Sequence, residues 1–246
     1  MCQLRIDIRD EFSLHTMWFR GLSKHIGIVA CSAEGAALCY LTICLEAGQF
    51  HPEVTMHTHP LGQYMRYIDV GDWDSVANLM LSSEAKLVSA GANFIICPDN
   101  TIHQAFDQVI EKASLPWLHI AEVVAEEAAR LNYRRAGLLG TRYLMEGPVY
   151  SSKLARRGIE YLIPNPDERR HVNQIIFNEL VNGRFTNDSQ EYLIAVIERL
   201  KNQGCDSVIL GCTEIPLIVT TENSPLPVLD STRLLARAAV NSALSS

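Results

Sequence analysis

Two acid/base side chains stand at the ends of apolar runs in this chain, Cys212 in "VILGCTEIP" and Asp99 in "ICPDNTIHQ". A thiol placed between a buried strand and a helical turn sits among unpaired backbone N–H groups. With the helix dipole, these are expected to lower its pKa toward neutrality and make it a usable base or nucleophile. The bland alternative for Cys212 is a small buried hydrophobe. Gly211 is expected to let a substrate approach, and Thr213 to offer a hydroxyl and an N–H to its carboxylate. Asp99 is either a reactive carboxylate or an N-cap for the Asn100 and Thr101 N–H groups. Those donors predict a pKa below the usual carboxylate value, and hence a poor base unless desolvation reverses the trend. His103, one helical turn on, either pairs with Asp99 or faces the core. His57 and His59 in "MHTHP" share one strand face. Two histidines without a third ligand make a weak metal site, so no metal is expected and both read as cleft-lining or core residues.

The elements that must position these groups follow from the spacing of apolar residues. Short runs recur as "IGIVA" (26–30), "EVTMH" (53–57), "NFIIC" (93–97), "WLHI" (117–120), "AGLLG" (136–140), "EYLIP" (160–164), "SVILG" (207–211) and "PLPVLD" (225–230). Each is too short for a helix and is bounded by Gly, Pro or polar residues, as buried parallel strands are. Helical patterns lie between them. In "WDSVANLMLSSEAKLVSAG", Val76, Met80, Leu87 and Val88 are expected to share a face, with Gly91 closing the helix. Alternation of strand and helix predicts an α/β protein with parallel sheets. "LVSAGANFIICPDNTIHQ" and "LKNQGCDSVILGCTEIPL" look like copies of one another. They predict two similar lobes, each offering one strand end to a shared cleft.

With 246 residues, 48% of them hydrophobic, the chain can build proper cores, and its net charge of −7 argues against a nucleic-acid partner. Seven cysteines, an odd number without C-x-x-C pairing, and no secretory leader predict reduced thiols in the cytoplasm. No apolar run approaches the roughly 18 residues of a membrane span. Residues 1–23, with Trp18 and Phe19, read as an N-terminal extension. The first lobe is expected over 24–119 plus about 226–246, and the second over 120–225.

"GCTEIPLIV", "DNTIH", "LLGTRYLMEGPVY" and "DERRHVNQIIFNEL" together resemble the aspartate/glutamate racemase superfamily, from about Lys24 to the C-terminus. Glu214 after "GCT" resembles the aspartate racemase and broad-specificity branch; cell-wall glutamate racemases have a histidine there. The resemblance implies two α/β lobes related by a pseudo-twofold, no PLP or other cofactor, and a homodimer. It also implies one cysteine per lobe on opposite faces of the substrate Cα, one thiolate removing the α-proton while the other thiol returns one.

The chain departs from that pattern where the first cysteine belongs, which is Asp99. Cys97 lies two residues back beyond Pro98 and does not simply replace it. Ser32 in "VACSAEGA" corresponds to a "GGMS" turn of relatives, with Ala30 and Cys31 replacing small or glycine residues. Asn100, Thr101, Thr213 and Glu214 fall on the substrate-binding positions of the two strand ends. Thr141 of "GTRY" is expected to hold a carboxylate, and Arg142 to be structural. The lysine that relatives use for a distal carboxylate falls on His171, implying a changed or pH-dependent grip. His103, His57 and His59 would stand behind these contacts.

Three functions follow. The first is an amino-acid racemase for aspartate- or glutamate-like substrates, with Asp99 and Cys212 as the acid/base pair. The second is a one-thiol decarboxylase or isomerase with Cys212 as proton donor. The third is a non-catalytic small-molecule sensor.

Overall fold

The computed structural model describes residues 23–245, so the expected extension lies outside the described residues apart from Ser23. Two four-stranded sheets form. The first contains β1 (Ile26–Ala30), β2 (Val54–Thr58), β3 (Phe94–Ile96) and β4 (Trp117–Leu118) in the order β2-β1-β3-β4, all parallel. The second contains β5 (Arg135–Leu139), β6 (Glu160–Leu162), β7 (Ser207–Leu210) and β8 (Val228–Asp230) in the order β6-β5-β7-β8, again all parallel. All eight expected strands are therefore present, and the two lobes share one topology.

The central strands are apolar apart from Arg135 and Ser207 at the starts of β5 and β7, because helices cover both faces. Every residue of β1, β3 and β7 is buried, whereas the edge strand β2 alternates exposed and half-buried side chains. In each lobe the strand order reverses between the two central strands, β1 and β3 or β5 and β7. Ligands of open α/β sheets bind at the carboxyl ends of strands at such a reversal.

The connecting helices are α1 (Ala33–Ala47), α2 (Leu61–Ile68), α3 (Trp73–Ser89), α4 (Phe106–Ile110), α5 (Ile120–Arg130), α6 (Arg142–Glu146), α7 (Ser151–Arg156), α8 (Pro166–Asn178), α9 (Asn187–Asn202) and α10 (Ser231–Leu244). Their ends follow local chemistry. Asp72 caps α3 through Ser75 N–H, and Asn165 with Glu168 forms a capping box under Pro166 at the start of α8. Gly91 and Gly204, at φ +94° and +91°, turn the chain from α3 into β3 and from α9 into β7. Asp99 and Cys212 follow these two glycines at the same spacing.

Val76, Met80 and Leu87 of α3 are fully buried, but Val88 is exposed, since helical geometry puts it about 100° round from Leu87. Val228–Asp230 pairs with β7 in the second sheet, and only after Asp230 does the chain return to the first. There α10 lays Leu235, Ala236, Ala239 and Ala243 against Ile26, Ile28, Cys39 and Ile43. Among the described residues no helix is long and apolar enough to cross a membrane.

Candidate active site

A cavity lies between the lobes at the carboxyl ends of β1, β3, β5 and β7, and it is lined by Cys31, Ser32, Asp99, Asn100, Thr101, Thr141, Gly211, Cys212, Thr213 and Glu214. Two hydroxyl pairs bridge it. Ser32 Oγ, after β1, lies 3.1 Å from Thr213 Oγ1, after β7; Thr101 Oγ1, after β3, lies 2.8 Å from Thr141 Oγ1, after β5. The pairs are pseudo-symmetric, since β1 corresponds to β5 and β3 to β7, so that the lobe exchange turns the β1–β7 pair into the β5–β3 pair. With both closed the cavity measures about 40 Å³, space for about three waters.

The first-lobe side is built around Asp99, which is half-buried on the cavity wall. Burial and then the neighbouring Glu214 carboxylate push its pKa up to about 6. Hydrogen bonds from Ile102 N–H and from Cys31 pull the other way. Desolvation therefore outweighs the turn donors, and the expected low pKa is corrected. Asp99 Oδ1 accepts from Ile102 N–H at 3.3 Å, one residue before Asn100, which stands at the N-cap of the 3-10 turn Thr101–Ala105. His103 holds the turn rather than the carboxylate: its Nδ1–H donates to the Asp99 carbonyl at 2.7 Å, and Nε2 accepts from Ile120 N–H at 3.4 Å. Burial lowers the His103 pKa to about 4, which keeps the ring neutral in that role. Asn100 is tied into the interface, with Nδ2 donating to Ser231 Oγ at 2.9 Å and Oδ1 accepting from Tyr150 at 2.7 Å. Cys97 is fully buried behind the turn, its thiol 3.7 Å from the Asp99 carbonyl, and does not line the cavity.

Sequence reasoning passed over Cys31. It follows β1 directly, lines the cavity and hydrogen-bonds Asp99, while burial and the Asp99 charge hold its thiol protonated. Its place beside Ser32 at a strand end was the available signal.

On the second-lobe side the Cys212 thiol donates to Glu214 Oε2 at 2.9 Å. Burial first, and then the Glu214 charge, raise its pKa well above the ordinary thiol value. This corrects the expectation of a lowered pKa. Only a short 3-10 turn, Ile215–Leu217, follows, so little helix dipole opposes a carboxylate in contact. The other Glu214 oxygen, Oε1, is buried without a hydrogen-bond partner. Gly211 lines the cavity and leaves room for Leu144: a Cβ there would stand 2.4 Å from Leu144 Cδ2. Gly35 of α1 likewise admits Thr213, which a Cβ would meet at 2.5 Å.

Three expected histidines lie elsewhere. His171 is exposed on α8, its ring stacked on Tyr192 at 4.0 Å. It sits about 120–140° round the helix from the cavity-lining Ile176 and Phe177. His57 Nδ1 pairs with Ser83 Oγ and Nε2 with Lys86, with the His59 ring 4.9 Å away. Partial burial and then Lys86 lower both of their pKa values, which suits neutral rings; β2 ends at Thr58, so His59 lies just past the strand and the two do not share a strand face. Among the described residues no group of three or more His, Cys, Asp or Glu is placed to hold a metal ion.

The remaining wall is apolar, with Leu61, Met65 and Ile68 of α2 facing Ile176, Phe177 and Val181 at the end of α8 and just beyond. The cavity thus has a reactive end of two thiol–carboxylate pairs and an apolar side. A family model for Asp/Glu/hydantoin racemases matches residues 39–239. The chain is 26% identical to the broad specificity amino-acid racemase RacX of Bacillus subtilis over 174 residues, covering 71% of this chain and 75% of that protein. A crystal structure of an Asp/Glu racemase candidate from Yersinia pestis superposes with a TM-score of 0.80 at 31% identity, covering 90% of this chain and all of the other. An aspartate racemase homologue from Pyrococcus horikoshii gives a TM-score of 0.78 at 28% identity, with 90% of this chain covered and 100% of the other.

Proposed function

The chain belongs to the Asp/Glu/hydantoin racemase family, and from that premise we propose a cofactor-independent amino-acid racemase in which Asp99 and Cys212 address opposite faces of Cα. One observation carries the reading: matching strand ends of the two lobes present a carboxylate and a protonated thiol to the same cavity. In one direction ionised Asp99 takes the α-proton and the Cys212 thiol gives its proton to the other face, leaving a thiolate that solvent reprotonates. In the reverse direction, by microscopic reversibility, the Cys212 thiolate takes the α-proton and protonated Asp99 donates to the other face. A pKa of about 6 makes both forms of Asp99 available near neutrality. The Thr101, Thr141, Ser32 and Thr213 hydroxyls hold the α-carboxylate as it takes up charge from the carbanion.

The same reading places the protein as a homodimer in the cytoplasm, where its six described cysteines, all free, stay reduced. Light scattering tests the dimer. The activity is tested by incubating each enantiomer of a panel of amino acids with enzyme in D2O and following α-deuteration and optical rotation. Deuterium uptake with loss of rotation is expected; no uptake from any amino acid sinks the proposal.

A further inference from the structure

The cavity is ill suited to a side chain that carries its own negative charge. Asp99 and Glu214 already face it and repel one another, as the raised Asp99 pKa records. Among the described residues no Lys, Arg or His lines it. Arg142 is exposed, 5.4 Å over the Tyr143 ring, and His171 points elsewhere. With the substrate's α-carboxylate added, a side-chain carboxylate would be the fourth there and would have no cation of its own to pair with, which is strongly unfavourable. By contrast, Glu214 Oε1 is a buried acceptor with no donor, and an unsatisfied buried acceptor seeks a cationic N–H group. The apolar wall is built from matching parts of the lobes, α2 after β2 and α8 after β6. It is a surface that gains by covering hydrocarbon.

We propose that the substrate is an α-amino acid with an uncharged, apolar side chain, its ammonium held at Glu214 Oε1 and its side chain against Leu61, Met65, Ile68, Ile176 and Phe177. This rests on the racemase reading and narrows it away from aspartate and glutamate. The α-ammonium neutralises Glu214, the hydroxyl cluster takes the α-carboxylate, and Cα lies between Asp99 and Cys212.

Binding and exchange are to be measured separately on the whole chain, by calorimetric titration and by α-deuteration, with leucine, methionine, phenylalanine, aspartate and glutamate. Leucine or methionine is expected to bind and exchange at least tenfold better than aspartate. Equal or better use of aspartate overturns the proposal while leaving the racemase reading intact. Apolar amino acids that bind without α-exchange support this site and count against racemisation. Binding of none of them overturns the proposal.

Two variants add independent readouts. Phe177→Lys puts a cation in the wall and is expected to move the aspartate-to-leucine binding ratio at least tenfold toward aspartate; an unmoved ratio removes the wall from the side-chain site. 4-Methylpentanoate, which is leucine without its ammonium, is expected to bind at least tenfold more weakly than leucine. In Glu214→Gln that gap should shrink below threefold, and a gap unchanged there excludes Glu214 as the ammonium contact.

Discussion

The two lobes share strand order, turn position and the glycine that precedes the third strand, yet they distribute the same two functional groups in opposite order. In the first lobe the group eight residues after the glycine, beyond β3, is the carboxylate, Asp99, and the thiol hydrogen-bonded to it comes from the end of β1, Cys31. In the second lobe the group at the same spacing, beyond β7, is the thiol, Cys212, and its carboxylate, Glu214, lies two residues on. A thiol–carboxylate couple is thus kept on both sides while the group at the strand tip is exchanged. The exchange makes the site chemically lopsided. Asp99 titrates near 6, whereas burial and Glu214 hold Cys212 protonated far into the alkaline range.

The largest test of this comparison removes one tip at a time. Cys212→Ala is expected to slow racemisation of both enantiomers by about 10³-fold, the usual range for a lost acid/base group. It should leave solvent deuterium entering the one enantiomer whose α-proton faces Asp99. Asp99→Asn should give the reciprocal pattern, with exchange surviving only in the other enantiomer. Loss of exchange from the same enantiomer in both variants would place the two groups on one face and break the comparison.

A smaller effect concerns stability. The folded pKa of Asp99 is raised from 3.8 to about 6. Its contribution to stability is therefore fully present below the unfolded value and is lost as the pH rises through the folded one, between about pH 4 and 6. Asp99→Asn keeps an acceptor for Ile102 N–H without the buried charge. It should be more stable than the parent by roughly 2–3 kcal/mol above pH 7, with little difference at pH 4. Urea unfolding at pH 4 and 7.5 reads this directly; an equal difference at both would mean that Asp99 carries no desolvation cost.

The sheets were legible because β1, β3, β5 and β7 run between two helical layers and are apolar but for the first residues of β5 and β7, Arg135 and Ser207. The paired strand ends were legible for the same reason, since Asp99 and Cys212 follow such runs at equal distance from a glycine. What lay beyond the sequence was whatever depends on one lobe facing the other. The Asp99 pKa is set by burial between the lobes and then by Glu214, more than a hundred residues away, and local turn donors pointed in the opposite direction. The Cys212 pKa is set by the same burial and then by the Glu214 side chain that folds back onto it. His171 shares its helix with Ile176 and Phe177, and periodicity shows that α8 has an apolar face without showing that this face lines a cavity.

The smallest expected effect probes the exchanged couple itself. Cys31 donates to Asp99 and so stabilises its ionised form, opposing the pull of burial and of Glu214. In Cys31→Ala that donor is gone, and the Asp99 pKa should rise above 6 by about half to one unit, the scale of a lost hydrogen bond to a charged group. For the direction that uses Asp99 as base, the acidic limb of kcat/KM moves upward with it. Activity then falls about two- to fivefold at pH 6 and hardly changes at pH 8.5, where the carboxylate is ionised in either case. A purely structural role for Cys31 predicts the same loss at every pH, so a shifted limb identifies it as a positioning residue of the first lobe. If the limb stays in place, the two lobes do not share a working thiol–carboxylate couple, and their likeness stops at the backbone.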